Sequence, residues 1–227
     1  MDSSHLCTKY CILGTPPKHV LSQPRHQKHW KQALGILRYL KHHVDNNDPH
    51  ADVSPLGLKF VGTVHDKLEL EGYVDASFAD NYGDETDNRR STTGWCFQAG
   101  GSVLSWKAQK QSTVATSTAE AEYVAAFEAT KEAVYLRRLL SELGEIDAAE
   151  CITLNEDSQA CIKIATNPCL AERTKHFDIK WHWLRAKVAD GTVVLRYINT
   201  HEQVADILTK SLGPRQHEKL KYKMTGM

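Results

Sequence analysis

The stretch Gly72–Asp80, "GYVDASFAD", constrains the fold more than any other, because it sets a carboxylate, Asp75, inside an otherwise apolar strand-like run. Side chains alternate along a strand with period two, so Tyr73, Asp75 and Ser77 share one face and Val74, Ala76 and Phe78 the other. Asp is a poor strand former, and an unpaired carboxylate withdrawn from water costs roughly several kcal/mol. A fold that keeps Asp75 there must use its charge.

The surrounding pattern is α/β. A short run "LGLKFVG" and a longer one, "KLELEGYVDASF", read as strands; "DNYGDETDNRRS" is a polar loop; and "TTGWCFQAGGSVLSWKAQK" is a hairpin turning at Gly100-Gly101. A long helix is expected from Ser117 to Leu143, stopped at Gly144. The strand "CITLNED" follows, then a short helix "SQACIKIATN" halted by Pro168. A helix over 175–189 carries Phe177, Trp181, Leu184 and Val188 on one stripe, and a strand "TVVLRYIN" and a helix "EQVADILTKSL" close the series. An antiparallel start followed by βα units implies a mixed sheet with helices on it. Upstream, residues 1–28 read as an irregular lead-in. "HQKHWKQALGILRYLKHH" reads as one amphipathic helix with Trp30, Ala33, Leu34, Leu37 and Leu40 on its apolar face, and the turn-rich "VDNNDPHADVSP" marks a boundary. The expected division is therefore 1–55 and 56–227.

Composition narrows the function classes. Lys plus Arg and Asp plus Glu number 28 each, so nucleic-acid binding, if present, comes from a local patch rather than from net charge. With no run of about 18 apolar residues and no signal-peptide order, an intracellular chain with no membrane partner is expected, in cytoplasm or nucleus. The six scattered cysteines suit reduced thiols.

Ligands of open sheets gather where strands end and helices begin, and four acids fall at such places: Asp75, a glutamate of "STAEAEYVAA", Asp157 and Asp206. Glu120 and Glu122 lie about 200° apart around a helix, so only one can serve the site. Ala126, Ala129, Ala133, Leu136 and Leu140 fall within about 40° of Glu122, a small-residue stripe that lays the helix close on a sheet with Glu122 aimed at it. Glu120 instead fits a capping box with Ser117, returning to the Ser117 N–H. Asp157 alone could be the N-cap of the next helix, and Asp206 alone could pair with Lys210 on an exposed face. Acids clustered at a sheet edge repel one another unless a cation sits among them. An all-oxygen set favours Mg²⁺ or Mn²⁺, and two such ions about 3.5–4 Å apart form the clamp used for in-line displacement at phosphorus.

"GYVDASFAD", "RRSTTGWCFQAGGSVLSWKAQKQSTVATSTAEAEYVAAFEATKEAVYLRRLLSELG", "EDSQACIKIATNP", "ERTKHFDIKWHWLRAKV" and "EQVADILTKSL" together closely resemble the ribonuclease H domain at the C-terminus of copia-type retrotransposon polyproteins, over roughly residues 67–215. "HWKQALGILRYLKHH" is similar to the segment that follows the reverse transcriptase there. The resemblance implies a ribonuclease H-like mixed five-stranded sheet with helices packed on it, behind a small helical or irregular N-terminal segment. It also implies a two-metal Mg²⁺ (or Mn²⁺) site without a small-molecule cofactor, and cleavage of the RNA strand of RNA–DNA hybrids. Carried over residue by residue, Asp75, Glu122, Asp157 and Asp206 are the catalytic and metal-binding acids. Glu156, beside Asp157, departs from the family pattern and is expected to disturb metal affinity. His201 is an accessory candidate, although Thr200-x-x-Gln203 also reads as a capping box.

For the substrate, Lys107, Lys110, Gln111, Ser158 and Gln159 flank the acids and are candidates for contacts to the hybrid, with Arg89 and Arg90 nearby. The basic tail "PRQHEKLKYKM" could also touch phosphate. The reverse transcriptase module of the parent polyprotein is an expected partner. The alternative is a catalytically silent or truncated remnant that binds nucleic acid or acts as a scaffold.

Overall fold

The computed structural model describes residues 34–38, 41, 58, 68–79, 89–167 and 179–226, with the backbone alone for 179–181. The lead-in 1–28, the turn-rich boundary, most of "LGLKFVG" and of the polar loop, Pro168, Phe177 and the Trp181 side chain lie outside these residues.

Five strands form one sheet: β1 (Leu70–Ser77), β2 (Thr92–Ala99), β3 (Ser102–Lys110), β4 (Ile152–Glu156) and β5 (Val193–Tyr197), in the order β3-β2-β1-β4-β5. The β2–β3 hairpin turns at Gly100 and Gly101, both at positive φ, and pairs antiparallel, as does β1 with β2. β1–β4 and β4–β5 are parallel. This is the expected mixed sheet, and β1 is the strand at which its sense changes.

The alternation expected of β1 divides two cores. Val74 and Ala76, with Trp95 and Phe97 of β2, pack under α1 (Thr118–Glu142) together with residues of α2 (Gln159–Thr166) and α3 (Ile179–Ala189). The Ala126, Ala129, Ala133, Leu136 and Leu140 stripe of α1 is buried there, the three alanines completely. Leu184 is buried and Val188 packs against the same core, as the stripe of α3 requires. On the opposite face Cys96 and Val103 meet Ile207 and Leu208 of α4 (Asp206–Thr209) and Leu220 and Met224 of α5 (Pro214–Thr225), with Tyr73 packed against them.

Three expectations are corrected. The helix expected over "EQVADILTKSL" is broken: a 3₁₀ turn, Thr200–Glu202, is separated from the four-residue α4. The side chain of the buried Gln203 enters the sheet between them, its Nε2 donating to the carbonyls of Val74 (2.9 Å) and Asn155 (3.2 Å). A continuous helix would withdraw that amide. The Thr200 capping box is likewise absent, because Asn199 caps the turn by accepting from the His201 N–H. Near the N-terminus, residues 34–38 are helical, but Ile36 is the buried one and Leu37, expected on the apolar face, is 58% exposed.

Gly94 lets α4 approach. It pairs with Asp75 across β1–β2, and a Cβ there would lie 2.5 Å from Thr209 Cγ2, 3.0 Å from Leu208 Cβ and 3.3 Å from the Ala205 carbonyl oxygen. Gly94→Ala is therefore expected to cost about 1–3 kcal/mol, the usual range for overpacking. Gly213→Ala, with nothing within 4 Å of the added carbon, is expected to cost less, at most about 1 kcal/mol, because Gly213 caps α5 and Ala is the poorer N-cap. Equal urea midpoints for the two variants would contradict this packing.

Candidate functional site

The sheet register brings the first two acids together. Parallel pairing of β1 with β4 ends at Tyr73 opposite Asn155, and Asp75 and Asp157 each stand two residues further on, where the strands part. This is the switch point of the sheet, the place where ligands of open α/β sheets bind. Gln203 occupies the split below them. Asp157 is not the N-cap of α2: Ser158 is, its Oγ accepting from the Cys161 N–H at 3.2 Å. Glu120 takes the helix-start role expected of it with a different partner, since its carboxylate accepts from the N–H (2.6 Å) and hydroxyl (2.7 Å) of Thr116 rather than from the Ser117 N–H. The other half of the cap, Ser117 Oγ accepting from the Glu120 N–H, is present at 3.2 Å.

The acids form two overlapping groups. Asp75, Asp157 and Asp206 each offer an oxygen within 4.8 Å of the other two, and so do Glu122, Glu156 and Asp157. Asp157 is common to both. The four expected acids thus converge, and Glu156, expected only to disturb the site, joins them as a fifth.

Burial and mutual repulsion dominate their electrostatics. Glu122 and Glu156 are held well above the ordinary carboxylate range by burial first and by their acidic neighbours second; for Glu156 the bond from the Ser158 N–H opposes this. Asp206 is pushed up to about 7 by burial and by Asp75. Burial also raises Asp75, against the opposing Lys210 ammonium and Thr209 hydroxyl. Those two groups reach Asp75 directly: Thr209 Oγ1 donates to its Oδ2, and Lys210 Nζ to its Oδ1 at 2.9 Å and to Asp206 Oδ1 at 2.7 Å. Asp206 and Lys210 therefore do pair, but Asp206 is only 4% exposed and the pair is extended to Asp75 rather than lying on an open face. Burial alone would lower Lys210, yet Asp75 and Asp206 outweigh it and hold its pKa above the ordinary lysine value.

A site of five carboxylates and one ammonium has room for further positive charge, and its donors are all oxygens, which fits Mg²⁺ or Mn²⁺. Without such a cation the raised acids destabilise the folded chain as they ionise. Folded Asp206 keeps its proton to about pH 7, whereas an unfolded Asp loses it near about pH 3.9. In that window the native state binds more protons than the unfolded state, so this contribution to stability falls as pH rises. In EDTA the melting temperature is expected to drop between pH 5 and pH 8, and saturating Mg²⁺ to reverse the drop. Identical pH profiles with and without Mg²⁺ would contradict this.

The expected substrate contacts are dispersed. Lys107 and Gln159 are exposed. Lys110 is exposed at the end of β3, with its ammonium on the Arg90 carbonyl at 2.9 Å. Gln111 is 3% exposed, and its amide ties Thr93 Oγ1 (3.0 Å) to the Ala121 carbonyl (2.8 Å), which anchors the start of α1 near Glu122. Ser158 is occupied as a helix cap. His201 is exposed, and among the described residues no hydrogen bond links its imidazole to the acids. In the basic tail, Lys219 and Lys223 both pair with Glu202 and Lys221 with Glu218. Thr209, Gln203 and the Lys210–Asp75 contact were not found from sequence. One signal was available, because Thr209 and Lys210 lie three and four residues after Asp206 and so share its helix face.

The chain is 37% identical over 201 residues to the retrovirus-related Pol polyprotein from transposon TNT 1-94 of Nicotiana tabacum, a match covering 88% of this chain and 14% of that polyprotein. It is 33% identical over 196 residues to the corresponding polyprotein from transposon RE2 of Arabidopsis thaliana, covering 85% and 12%. The chain thus spans a small part of the length of these relatives. Among solved structures, LC11-RNase H1, isolated from compost, aligns with 62% of this chain and 92% of its own at 17% identity and a TM-score of 0.43. No family model matches the chain. Among the described residues no helix is long and apolar enough to cross a membrane. Over most of its length, the chain is a homologue of the Pol polyproteins of copia-type retrotransposons.

Proposed function

We propose that the chain contains a ribonuclease H-like domain that uses Mg²⁺ or Mn²⁺ to cleave the RNA strand of an RNA–DNA hybrid, working beside the reverse transcriptase module of its parent polyprotein. One observation carries this reading: Asp157 joins two groups of three carboxylates, Asp75–Asp157–Asp206 and Glu122–Glu156–Asp157, at the switch point of the sheet. When bound there, divalent cations supply an activated water and charge stabilisation at the leaving oxygen. The chain's own residues hold and aim that site. Asp75 and Asp157 are fixed by the parting of β1 and β4, Glu122 by the seating of α1, and Asp206 by the contact of α4 with β2. Lys107 and Gln159 are exposed side chains that would meet the hybrid's backbone, the part of such a ligand that positions rather than specifies, with Lys110 held beside them on the Arg90 carbonyl.

The test is cleavage of a labelled hybrid by the full chain, with Mg²⁺ or Mn²⁺ against EDTA, beside single-stranded RNA and duplex DNA. Hybrid-selective, cation-dependent cleavage that Asp75→Asn abolishes is expected. Equal cleavage by Asp75→Asn would reject the site, and hybrid affinity without turnover under any cation would make the chain a binding domain instead.

A further inference from the structure

We propose that the acid cluster holds two unequal cation seats: Glu122, Glu156 and Asp157 take a divalent ion, with Glu156 as a ligand, while the seat between Asp75 and Asp206 is held by the chain's own Lys210 ammonium, which a second ion must displace. This rests on the metal-dependent reading above and adds to it a ligand and an order of binding.

Among the described residues no cation of the protein's own is paired with the first seat: no lysine or arginine forms a salt bridge to Glu122, Glu156 or Asp157. Glu156 is completely buried, with the Cys161 thiol beside its carboxylate; its Oε1 accepts from the Ser158 N–H at 2.9 Å, while among the described residues its Oε2 has no hydrogen-bond partner. Glu122, 9% exposed, likewise leaves its buried Oε2 without a partner. Two orphaned carboxylate oxygens so far from water are costly, and an oxygen from each of the three acids lies within 4.8 Å of the others. A hard divalent cation satisfies such a set.

The second seat is already filled. Lys210 Nζ lies between Asp75 Oδ1 and Asp206 Oδ1, and Thr209 donates to the other Asp75 oxygen, so both oxygens of Asp75 are engaged by the protein. Lys210 remains 33% exposed at the rim. Its flexible stem and point charge allow it to withdraw into solvent when a stronger cation arrives.

The test is a Mn²⁺ titration of the full chain, stripped with EDTA and desalted, followed by calorimetry and by the electron-spin resonance of free Mn²⁺, neither of which requires turnover. The wild type should bind one ion tightly and a second at least about tenfold more weakly. Lys210→Met should tighten the second at least about tenfold and leave the first in place, Lys210→Arg should keep the second weak, and Glu156→Gln should weaken the first at least about tenfold. Melting in EDTA confirms folding; a Lys210→Met variant that melts lower there and regains its stability with Mn²⁺ also supports the proposal. An unchanged second ion in Lys210→Met, or an unchanged first ion in Glu156→Gln, overturns it. Two equal ions in a wild type that cleaves hybrid would overturn the inequality while the functional reading stands. No Mn²⁺ bound by wild type or Lys210→Met would overturn both.

Discussion

Asp157→Asn is expected to abolish hybrid cleavage and, at the same time, to make the metal-free protein more stable. Asp157 is the acid shared by both carboxylate groups, so its loss removes a ligand from each. Altering a residue that merely supports a metal ligand costs about 10–100-fold in affinity or activity, and removing a shared ligand should cost more, at least about 100-fold. The stability effect has the opposite sign because the Asp157 charge pushes up the pKa of Asp75, Glu122, Glu156 and Asp206 alike. Neutralising it relieves repulsion in all four directions. At pH 8 in EDTA the melting temperature should rise, by about 2–4 °C for each kcal/mol of repulsion removed. Mg²⁺ should then stabilise the variant less than the wild type. A variant that melts lower than wild type in EDTA would show that Asp157 is a structural residue and not a charge held in place for a cation.

Gln203→Leu should be among the most destabilising single changes in the domain. The Gln203 amide donates to two buried carbonyls, those of Val74 and Asn155, and its oxygen accepts from the Ala205 N–H at 3.3 Å. Leucine nearly matches its volume and supplies none of these bonds. Each backbone group left buried and unpaired costs about 1–3 kcal/mol, so a total loss of about 3 kcal/mol or more is expected, read as a lower urea midpoint. The split between β1 and β4 sets the spacing of Asp75 and Asp157, so the loss should be accompanied by weaker divalent-cation binding in the fraction that remains folded. A midpoint within error of the wild type would contradict the role assigned to this side chain.

What the sequence disclosed and what it hid follow from the range of the interactions concerned. The β2–β3 hairpin and the glycine turn are local and were legible, as was the alanine stripe of α1, which singled out Glu122 over Glu120. Asp75 was legible as a problem, a charge in a strand; the acids at strand ends and helix starts gave Glu122, Asp157 and Asp206 as its candidate partners, and the resemblance to copia-type polyproteins supplied their expected roles. Lys210 was visible only as a neighbour of Asp206 four residues away, because its other contact, to Asp75, is separated from it by 135 positions. Gln203 was read as a helix-capping residue since nothing local shows that two strands part beneath it. Glu156 was legible only as an acid that departs from the family pattern: strand alternation puts it on the face opposite Asp157, but β4 ends at Glu156 and Asp157 follows it out of the strand, so both reach the same group of acids.

Manganese anomalous diffraction from crystals of the full chain grown with the cation tests the central claim most directly. A peak is expected with carboxylate oxygens of Glu122, Glu156 and Asp157 at about 2 Å, as oxygen ligands of a small hard cation require, and a second, between Asp75, Asp157 and Asp206, only at higher Mn²⁺. Well-ordered acids with no manganese within reach of Asp157 at saturating concentration would contradict it.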